Sequence, residues 1–277
     1  MCLERGELKK NWLSIVLSIF VLSFFFRGGP AFASEKRNIF SRFGRDFKYI
    51  FTSPLRLGKS DVLPLSAIIL GTCGLMVLDE DIRDSVQDSG SNSWDEIFSF
   101  SKQFGDGRVT LPIAGIFYLA GEIFHDEKSR DTGISALESF IFSGIICQTL
   151  KVLAGRSRPY RGEGSGKFYG PTFDNAKLSL PSGHATVAFS LASVIASEYD
   201  SLLVDISAYT IASLTALSRV YHDKHWTSDV ALGAVIGTLV GRAVVYQNKK
   251  ENTENTGIFP WARAKEMGFE VGFAQKF

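Results

Sequence analysis

Six apolar segments along the middle of this 277-residue chain constrain its fold more than any other feature. They are rich in Ala, Gly, Leu and Ile, a composition typical of buried helices. They lie at residues 63–78, 109–121, 139–150, 185–197, 206–218 and 230–241. In the last segment Gly233, Gly237 and Gly241 recur every four residues, which leaves one helix face bare and lets a neighbouring helix approach closely. The sequence therefore predicts a bundle of about six core helices.

The relation of these helices to a membrane stays open. Each uncharged run is about 12–16 residues long, whereas a membrane span needs about 20, and this favours a core-packed bundle. The glycine repeat is typical of membrane helices and favours the opposite. If all six segments crossed after an exported N-terminus, the polar loops that carry the candidate chemistry would face the cytoplasm. A bundle that does not span, or one segment that fails to cross, removes that conflict.

The N-terminus has the pattern of a secretory signal. Lys9 and Lys10 precede an apolar run, and Ala31 and Ala33 supply the small residues of a cleavage site. We expect residues 1–33 to be a signal peptide and the rest of the chain to be exported to the cell envelope, with an extracytoplasmic active site. An uncleaved membrane anchor is the alternative.

An amphipathic segment, 34–60, follows the signal. Its stretch 39–51 places apolar and basic side chains on opposite sides of a helix. The apolar set is Ile39, Phe40, Phe43, Phe47, Ile50 and Phe51, and the basic set is Arg42, Arg45 and Lys48. Such a helix either packs on the domain as a cap or lies on a membrane surface.

The remaining boundaries follow from the apolar segments. We expect a helical domain at 61–248 and a C-terminal tail at 249–277. In the tail, Phe269, Val271 and Phe273 alternate with other residues, which predicts a short strand.

Two polar clusters flank the loop between the third and fourth apolar segments. In KVLAGRSRPY, Lys151 ends a helix and Arg158 follows seven residues later. In LPSGHATVAF, Ser182 and Gly183 begin a helix whose free N–H groups suit an anion, and His184 lies in its first turn. Considered separately, these are also compatible with a solvated helix end and an ordinary Ser N-cap.

A third cluster, SRVYHDKHWTSD, places Arg219 six residues before His225 and Asp229 four residues after it. At that spacing on a helix the carboxylate lies against the imidazole. An Asp that accepts the Nδ1–H leaves Nε2 free and electron-rich, which prepares a nucleophile or a base.

A metal site is the competing interpretation of this cluster, because His222 and His225 with a nearby Asp could bind zinc. Lys151, Arg158 and Arg219 would then surround a dication, which is unfavourable. Around a phosphate, arginines supply bidentate forks and lysine a point charge. The sequence therefore favours a phosphate site with no metal and no cofactor.

Together the three clusters resemble the three-part signature of the type 2 phosphatidic acid phosphatase superfamily, which also contains bacterial acid phosphatases and vanadium haloperoxidases. The matching residues are Lys151 and Arg158-Pro159, Pro181-Ser182-Gly183-His184, and Ser218-Arg219, His225 and Asp229. All three parts match in residue, order and spacing. The motifs span residues 151–229, and the helices extend the likeness to about 61–246.

This resemblance implies an all-α bundle with the active site at one end, and metal-independent hydrolysis of phosphate monoesters through a phosphohistidine. His225 would be the nucleophile, Asp229 would orient it, and His184 would protonate the leaving oxygen and then activate water. The groups that would bind the phosphoryl oxygens are Lys151, Arg158, Arg219, the Ser182 hydroxyl and the Gly183 N–H. Arg156 and His222 lie outside the motifs and are expected at the rim.

Other functions stay open. A vanadate-dependent haloperoxidase would use the same residues, and a non-catalytic envelope protein could retain them without turnover. The substrate is a phosphorylated lipid at a membrane surface or a small soluble phosphomonoester. The net charge of +1 excludes a strongly basic nucleic-acid binder.

Overall fold

The structure is a computed structural model that describes residues 39–256, 258–265 and 268–275, and the side chains of residues 39–251. The predicted signal peptide, 1–33, lies outside the described residues. The predicted domain boundaries stay predictions.

Within the described residues the chain forms eight α-helices followed by one β-hairpin. The helices are α1 (Ile39–Phe51), α2 (Lys59–Asp88), α3 (Asn92–Ser101), α4 (Gly107–Phe124), α5 (Glu127–Ala154), α6 (Gly183–Glu198), α7 (Leu202–Tyr221) and α8 (Thr227–Thr256). The strands β1 (Ile258–Lys265) and β2 (Gly268–Gln275) pair antiparallel, with Ile258 opposite Gln275. All six apolar segments lie within helices, so the predicted helical bundle is confirmed. The strand expected in the tail lies in β2.

Local sequence signals set the ends of the helices that carry the site. The Asp126 carboxylate accepts a hydrogen bond from the Ser129 N–H at 3.2 Å and caps the start of α5. Gly155 ends α5 in the left-handed conformation, at φ 58°. A Cβ atom there would lie 1.9 Å from the Gly170 carbonyl oxygen, so no larger residue fits. Lys151 is therefore fixed in the last turn of α5.

Helix α6 is the centre of the bundle and packs against α5, α7 and α8. Ala185 and Val194 on this helix are completely buried. Helix α8 lies directly on the backbone of α6 through its three glycines. A Cβ atom at Gly237 would lie 2.2 Å from the Thr186 carbonyl oxygen, and one at Gly233 would lie 2.6 Å from the Ser182 carbonyl oxygen. The close helix contact predicted from the glycine repeat is confirmed.

Four helices of the described residues are long and apolar enough to cross a membrane: Lys59–Asp88, Gly107–Phe124, Glu127–Ala154 and Thr227–Glu251. For the four segments in these helices, the expectation that they are too short was wrong, because the helices continue beyond the uncharged runs.

Helix α2 has the most exposed apolar surface of these four. None of its apolar window is buried inside the protein, and Leu63, Leu70 and Val77 are 70–80% exposed. Contiguous apolar surface of this extent marks a membrane or protein contact. Association with a membrane is therefore indicated.

Helix α1 packs on the bundle as a cap, at the end where α5 begins. The rings of Phe43 and Phe47 lie 4.9 and 6.0 Å from that of Phe142, between centroids. Arg42 was expected on the outer, basic side but is only 3% exposed. It faces inward because Asp131 and Glu138 of α5 pair with its guanidinium at 3.1 and 3.2 Å.

We expect Gly237→Ala to lower the melting temperature of the purified protein. The added methyl group has no room between α8 and α6, and such overpacking typically costs about 1–3 kcal/mol. Gly144→Ala is the matched control, because a Cβ atom there has nothing within 4 Å. Thermal unfolding in detergent that is the same for both variants would contradict the close contact.

Candidate active site

The three predicted clusters meet at one end of the bundle. The Ser182 N–H donates to the Asp229 carbonyl oxygen at 2.8 Å, which joins the start of α6 to the start of α8. The His225 N–H donates to the Arg219 carbonyl oxygen at 3.3 Å. A Cβ atom at Gly183 would lie 3.8 Å from Lys151 Cε. The residues that the sequence selected are therefore neighbours in space, although their roles stay predictions.

Within the described residues, the three expected phosphate-binding cations have no acidic partner. Among the described residues, no carboxylate forms an ion pair with Lys151, Arg158 or Arg219. Lys151 is buried, and its Nζ donates to the carbonyl oxygens of Leu178 and Ser179 at 2.7 and 3.2 Å. Carbonyl dipoles solvate a cation but do not neutralise it. The positive charge at this end of the bundle is thus uncompensated, which favours a bound anion.

Arg219 shows the cost of that uncompensated charge. Its Nε is buried and makes no hydrogen bond within the described part of the chain. Burial, with a contribution from the neighbouring positive charge of Arg158, lowers the pKa of Arg219 to about 10. An anion bound between the two guanidinium groups would remove this repulsion and supply the missing acceptor.

The start of α6 adds hydrogen-bond donors next to the cations. The Ser182 hydroxyl is fully buried and, within the described residues, has no partner. A buried polar group without a partner is costly, and a ligand oxygen at this place would satisfy it. The free N–H groups and the positive dipole end of α6 favour the same kind of ligand.

His225 lies in the turn before α8 with the Asp229 carboxylate behind it. Nδ1 and Asp229 Oδ2 are 3.6 Å apart, as expected for residues four apart at a helix start, but too far for a hydrogen bond. The ring is 3% exposed. Burial lowers the pKa of His225 to about 3, more than Asp229 raises it. The imidazole is therefore neutral at neutral pH, as a nucleophile requires.

His184 lies in the first turn of α6, beside the same cations. Burial first, and then the charge of Arg219, lower the pKa of His184 to about 4, while Asp106 acts in the opposite direction. A dianion that neutralises the cations would raise this pKa again. The protonation state of His184 therefore depends on whether the site is filled.

Arg156 is not at the rim, where the sequence placed it. It is completely buried and pairs with Asp79 at 2.8 Å and with Asp229 at 2.6 Å. Sequence reasoning missed it because an Arg between two motif residues resembles an ordinary helix-end charge. It missed Asp79 because this residue begins the charged stretch DEDIRD and resembles an ordinary surface carboxylate. A single carboxylate beside an apolar run can nevertheless mark a functional position.

His222 does not join His225 in a metal-binding group. Its Nδ1 lies 2.7 Å from the Ser218 carbonyl oxygen. Among the side chains of residues 39–251, no three His, Cys, Asp or Glu residues are grouped so that they could bind a metal ion.

The model of the PAP2 superfamily, the type 2 phosphatidic acid phosphatases, matches residues 132–253 of this chain. The predicted resemblance to the PAP2 superfamily is confirmed. Asp79 and α1 lie outside the matched residues.

Three curated proteins are similar to parts of the chain. The lipid A 1-phosphatase of Porphyromonas gingivalis is 45% identical over 68 residues, which are 24% of this chain and 15% of that protein. A PA-phosphatase related-family protein of Dictyostelium discoideum is 27% identical over 146 residues, 48% of this chain and 53% of that protein. The undecaprenyl-diphosphatase of Sulfolobus acidocaldarius is 25% identical over 145 residues, 51% of this chain and 64% of that protein. The chain thus spans between 15% and 64% of these relatives.

Two solved structures share the fold. The transmembrane PAP2-type phosphatidylglycerolphosphate phosphatase from Bacillus subtilis has a TM-score of 0.54 at 24% identity, covering 67% of this chain and 96% of that one. The LpxE structure from Aquifex aeolicus has a TM-score of 0.50 at 22% identity, covering 61% of this chain and 95% of that one. At these identities the likeness concerns the fold alone.

Proposed function

We propose that the protein is a PAP2-type phosphatase that hydrolyses a phosphate monoester on a membrane lipid through a phosphohistidine, without a metal ion. The observation that carries this proposal is the uncompensated charge of Lys151, Arg158 and Arg219 beside a buried, neutral His225. Phosphoryl transfer depends mainly on positioning and on stabilising charge on the three equatorial oxygens. Fixed cations can supply both.

In the first step, the cations and the Ser182 hydroxyl bind the phosphoryl oxygens. His225 Nε2 attacks phosphorus, so that a P–N bond forms and the P–O bond to the lipid alcohol breaks. His184, as imidazolium, gives its proton to the leaving oxygen. The Asp229 carboxylate moves the short remaining distance to Nδ1–H and stabilises the positive charge that develops on His225.

In the second step, water replaces the lipid alcohol. His184, now neutral, takes a proton from the water as its oxygen attacks phosphorus. The P–N bond breaks, inorganic phosphate leaves, and both histidines return to their initial states. The proton that His184 lost to the alcohol is thus restored by the water.

A lipid substrate is favoured over a soluble one by two observations. Four helices are suited to a bilayer, and the exposed apolar window of α2 needs a lipid or protein neighbour. The names of two relatives also refer to lipid A and to undecaprenyl diphosphate. We further propose that the site faces the extracytoplasmic side, as the N-terminal signal pattern predicts.

The purified full chain should release phosphate from lipid phosphate monoesters in excess EDTA, and vanadate should inhibit by occupying the same place. Release should be faster than from small soluble phosphomonoesters. Activity that EDTA removes and zinc or magnesium restores would contradict the metal-free mechanism. Halide oxidation by hydrogen peroxide in the presence of vanadate would support the haloperoxidase alternative instead.

The pH dependence of kcat/KM should have a plateau between about pH 4 and about pH 6. The reaction needs protonated His184, whose pKa is about 4 in the unfilled site, and a substrate dianion, whose second pKa is about 6. Between these two values the loss of protonated His184 and the gain of substrate dianion cancel as the pH rises. Below pH 4 His184 is already fully protonated and the dianion fraction keeps falling, so the rate falls. Above pH 6 the dianion is complete and further loss of the proton from His184 lowers the rate about tenfold per pH unit. A flat profile from pH 5 to 9 with an alkyl phosphate would contradict His184 as the acid.

The two histidines should be separable by trapping the phosphoenzyme. With p-nitrophenyl phosphate, whose leaving group needs little protonation, His184→Ala should still form phosphohistidine but hydrolyse it about 10² to 10⁴ times more slowly. His225→Ala should form none, because it lacks the accepting nitrogen. Asp229→Asn should slow formation while substrate binding is kept. Phosphohistidine in the His225 variant, measured with substrate labelled in the phosphoryl group and an alkaline quench that preserves the acid-labile P–N bond, would reverse the assignment.

A further inference from the structure

A chain of buried ion pairs lies behind Asp229 and connects it to the membrane-type helix α2. Asp79, Arg156 and Asp229 are each 0% exposed. Arg156 Nη2 lies 2.8 Å from Asp79 Oδ2, and its Nη1 lies 2.6 Å from Asp229 Oδ1. One guanidinium is thus shared by two carboxylates that come from different helices.

Ser228 forms a second connection between Arg156 and Asp79. Its hydroxyl accepts from Arg156 Nη1 at 2.7 Å and donates to Asp79 Oδ2 at 2.5 Å. Its N–H donates to Asp79 Oδ1 at 2.9 Å. Asp79 therefore holds the first turn of α8, the turn that also presents Asp229 to His225.

Arg156 has no donor to spare for a substrate. Its Nε and Nη2 donate to the Ser165 carbonyl oxygen at 2.9 and 2.7 Å. Its guanidinium carbon also lies 5.4 and 5.6 Å from the ring centroids of Phe168 and Trp226. This cation therefore differs from Lys151, Arg158 and Arg219, whose charge is uncompensated.

The division of Arg156 between two carboxylates determines what Asp229 can offer to His225. Asp229 Oδ2 accepts from the Ser179 hydroxyl and from the Trp226 N–H, and faces His225 Nδ1 at 3.6 Å. Without the charge of Asp79, the full positive charge of Arg156 would act on Asp229. The carboxylate would then be drawn toward Arg156 and would be a weaker acceptor for the Nδ1–H.

We propose that Asp79 is a positioning residue for phosphoryl transfer, acting through Arg156 and Ser228 on Asp229, and thereby on His225. This inference rests on the proposed phosphatase function. It extends the active site to α2, beyond the residues that the family model matches. The attacking nitrogen would then be oriented by a helix whose apolar window has no buried residue.

Asp79→Asn tests this role, since it removes the charge and keeps the shape. We expect kcat/KM and the rate of phosphoenzyme formation to fall about tenfold or more, by analogy with the loss seen when a group that orients a metal-bound histidine is removed. The fall in kcat/KM should be the same for p-nitrophenyl and alkyl phosphates, because the substitution does not change proton transfer from His184 to the leaving oxygen. The inhibition constant for inorganic phosphate should not change, whereas Arg219→Gln should raise it.

Asp81→Asn is the matched control. It is the same substitution two residues away on α2, at an exposed side chain. It should behave as the wild type. Ser228→Ala is the second variant, to be used also if Asp79→Asn does not fold. It removes the hydroxyl bridge, and we expect a smaller fall in kcat/KM at the same phosphate inhibition constant.

Three results separate the possibilities. Wild-type kinetics in Asp79→Asn and Ser228→Ala would overturn the positioning role while the phosphatase proposal stands. Parallel loss of kcat/KM, phosphate affinity and melting temperature would show that Asp79 only stabilises the fold, and would also overturn it. Absence of phosphate release by the wild-type protein from any ester would instead overturn the proposed function itself.

Discussion

The contact between the backbones of α6 and α8 is the interaction on which the rest of the site depends. Three glycines let α8 lie on α6 without intervening side chains, and the same line of contact ends where the Ser182 N–H meets the Asp229 carbonyl oxygen. The N-termini of both helices are therefore brought to one place. One contributes free N–H groups that suit an anion, and the other contributes Asp229, next to His225.

The charges at this end of the bundle fall into two groups with different surroundings. Arg156 is neutralised by two buried carboxylates and has the partners of a structural group. Within the described residues, Lys151 and Arg158 have carbonyl partners and Arg219 Nε has none, and the charges of all three act on His184. A buried cation without a counterion is unstable unless something compensates it. This contrast distinguishes the cations suited to a ligand from the one suited to the scaffold.

Much of this arrangement could be predicted from the sequence, because it depends on local pattern. Apolar runs predicted the helices, the four-residue glycine repeat predicted the close helix pair, and the three motifs selected residues that are neighbours in space. Arg156 and Asp79 could not be predicted, since their importance arises from a pairing between residues 77 positions apart, shown by a 2.8 Å contact. The inward orientation of Arg42 was missed for the same reason. A helical pattern separates apolar from charged faces, but it does not show that Glu138 of another helix forms an ion pair with Arg42.

The cap formed by α1 has a mechanical consequence for the site it does not touch. Arg42 binds Asp131 on α5, and Arg45 binds Asn248 on α8, so α1 acts as a strap across these two helices. Along α5, Asp131 lies 20 residues from Lys151, a distance of about 30 Å. A change of one degree in the angle between α5 and α8 would displace Lys151 relative to Asp229 by about 0.5 Å over that length. Displacements of that size are what a catalytic geometry tolerates at most. The strap thus helps to set an angle at one end of the molecule, and that angle affects a distance at the other.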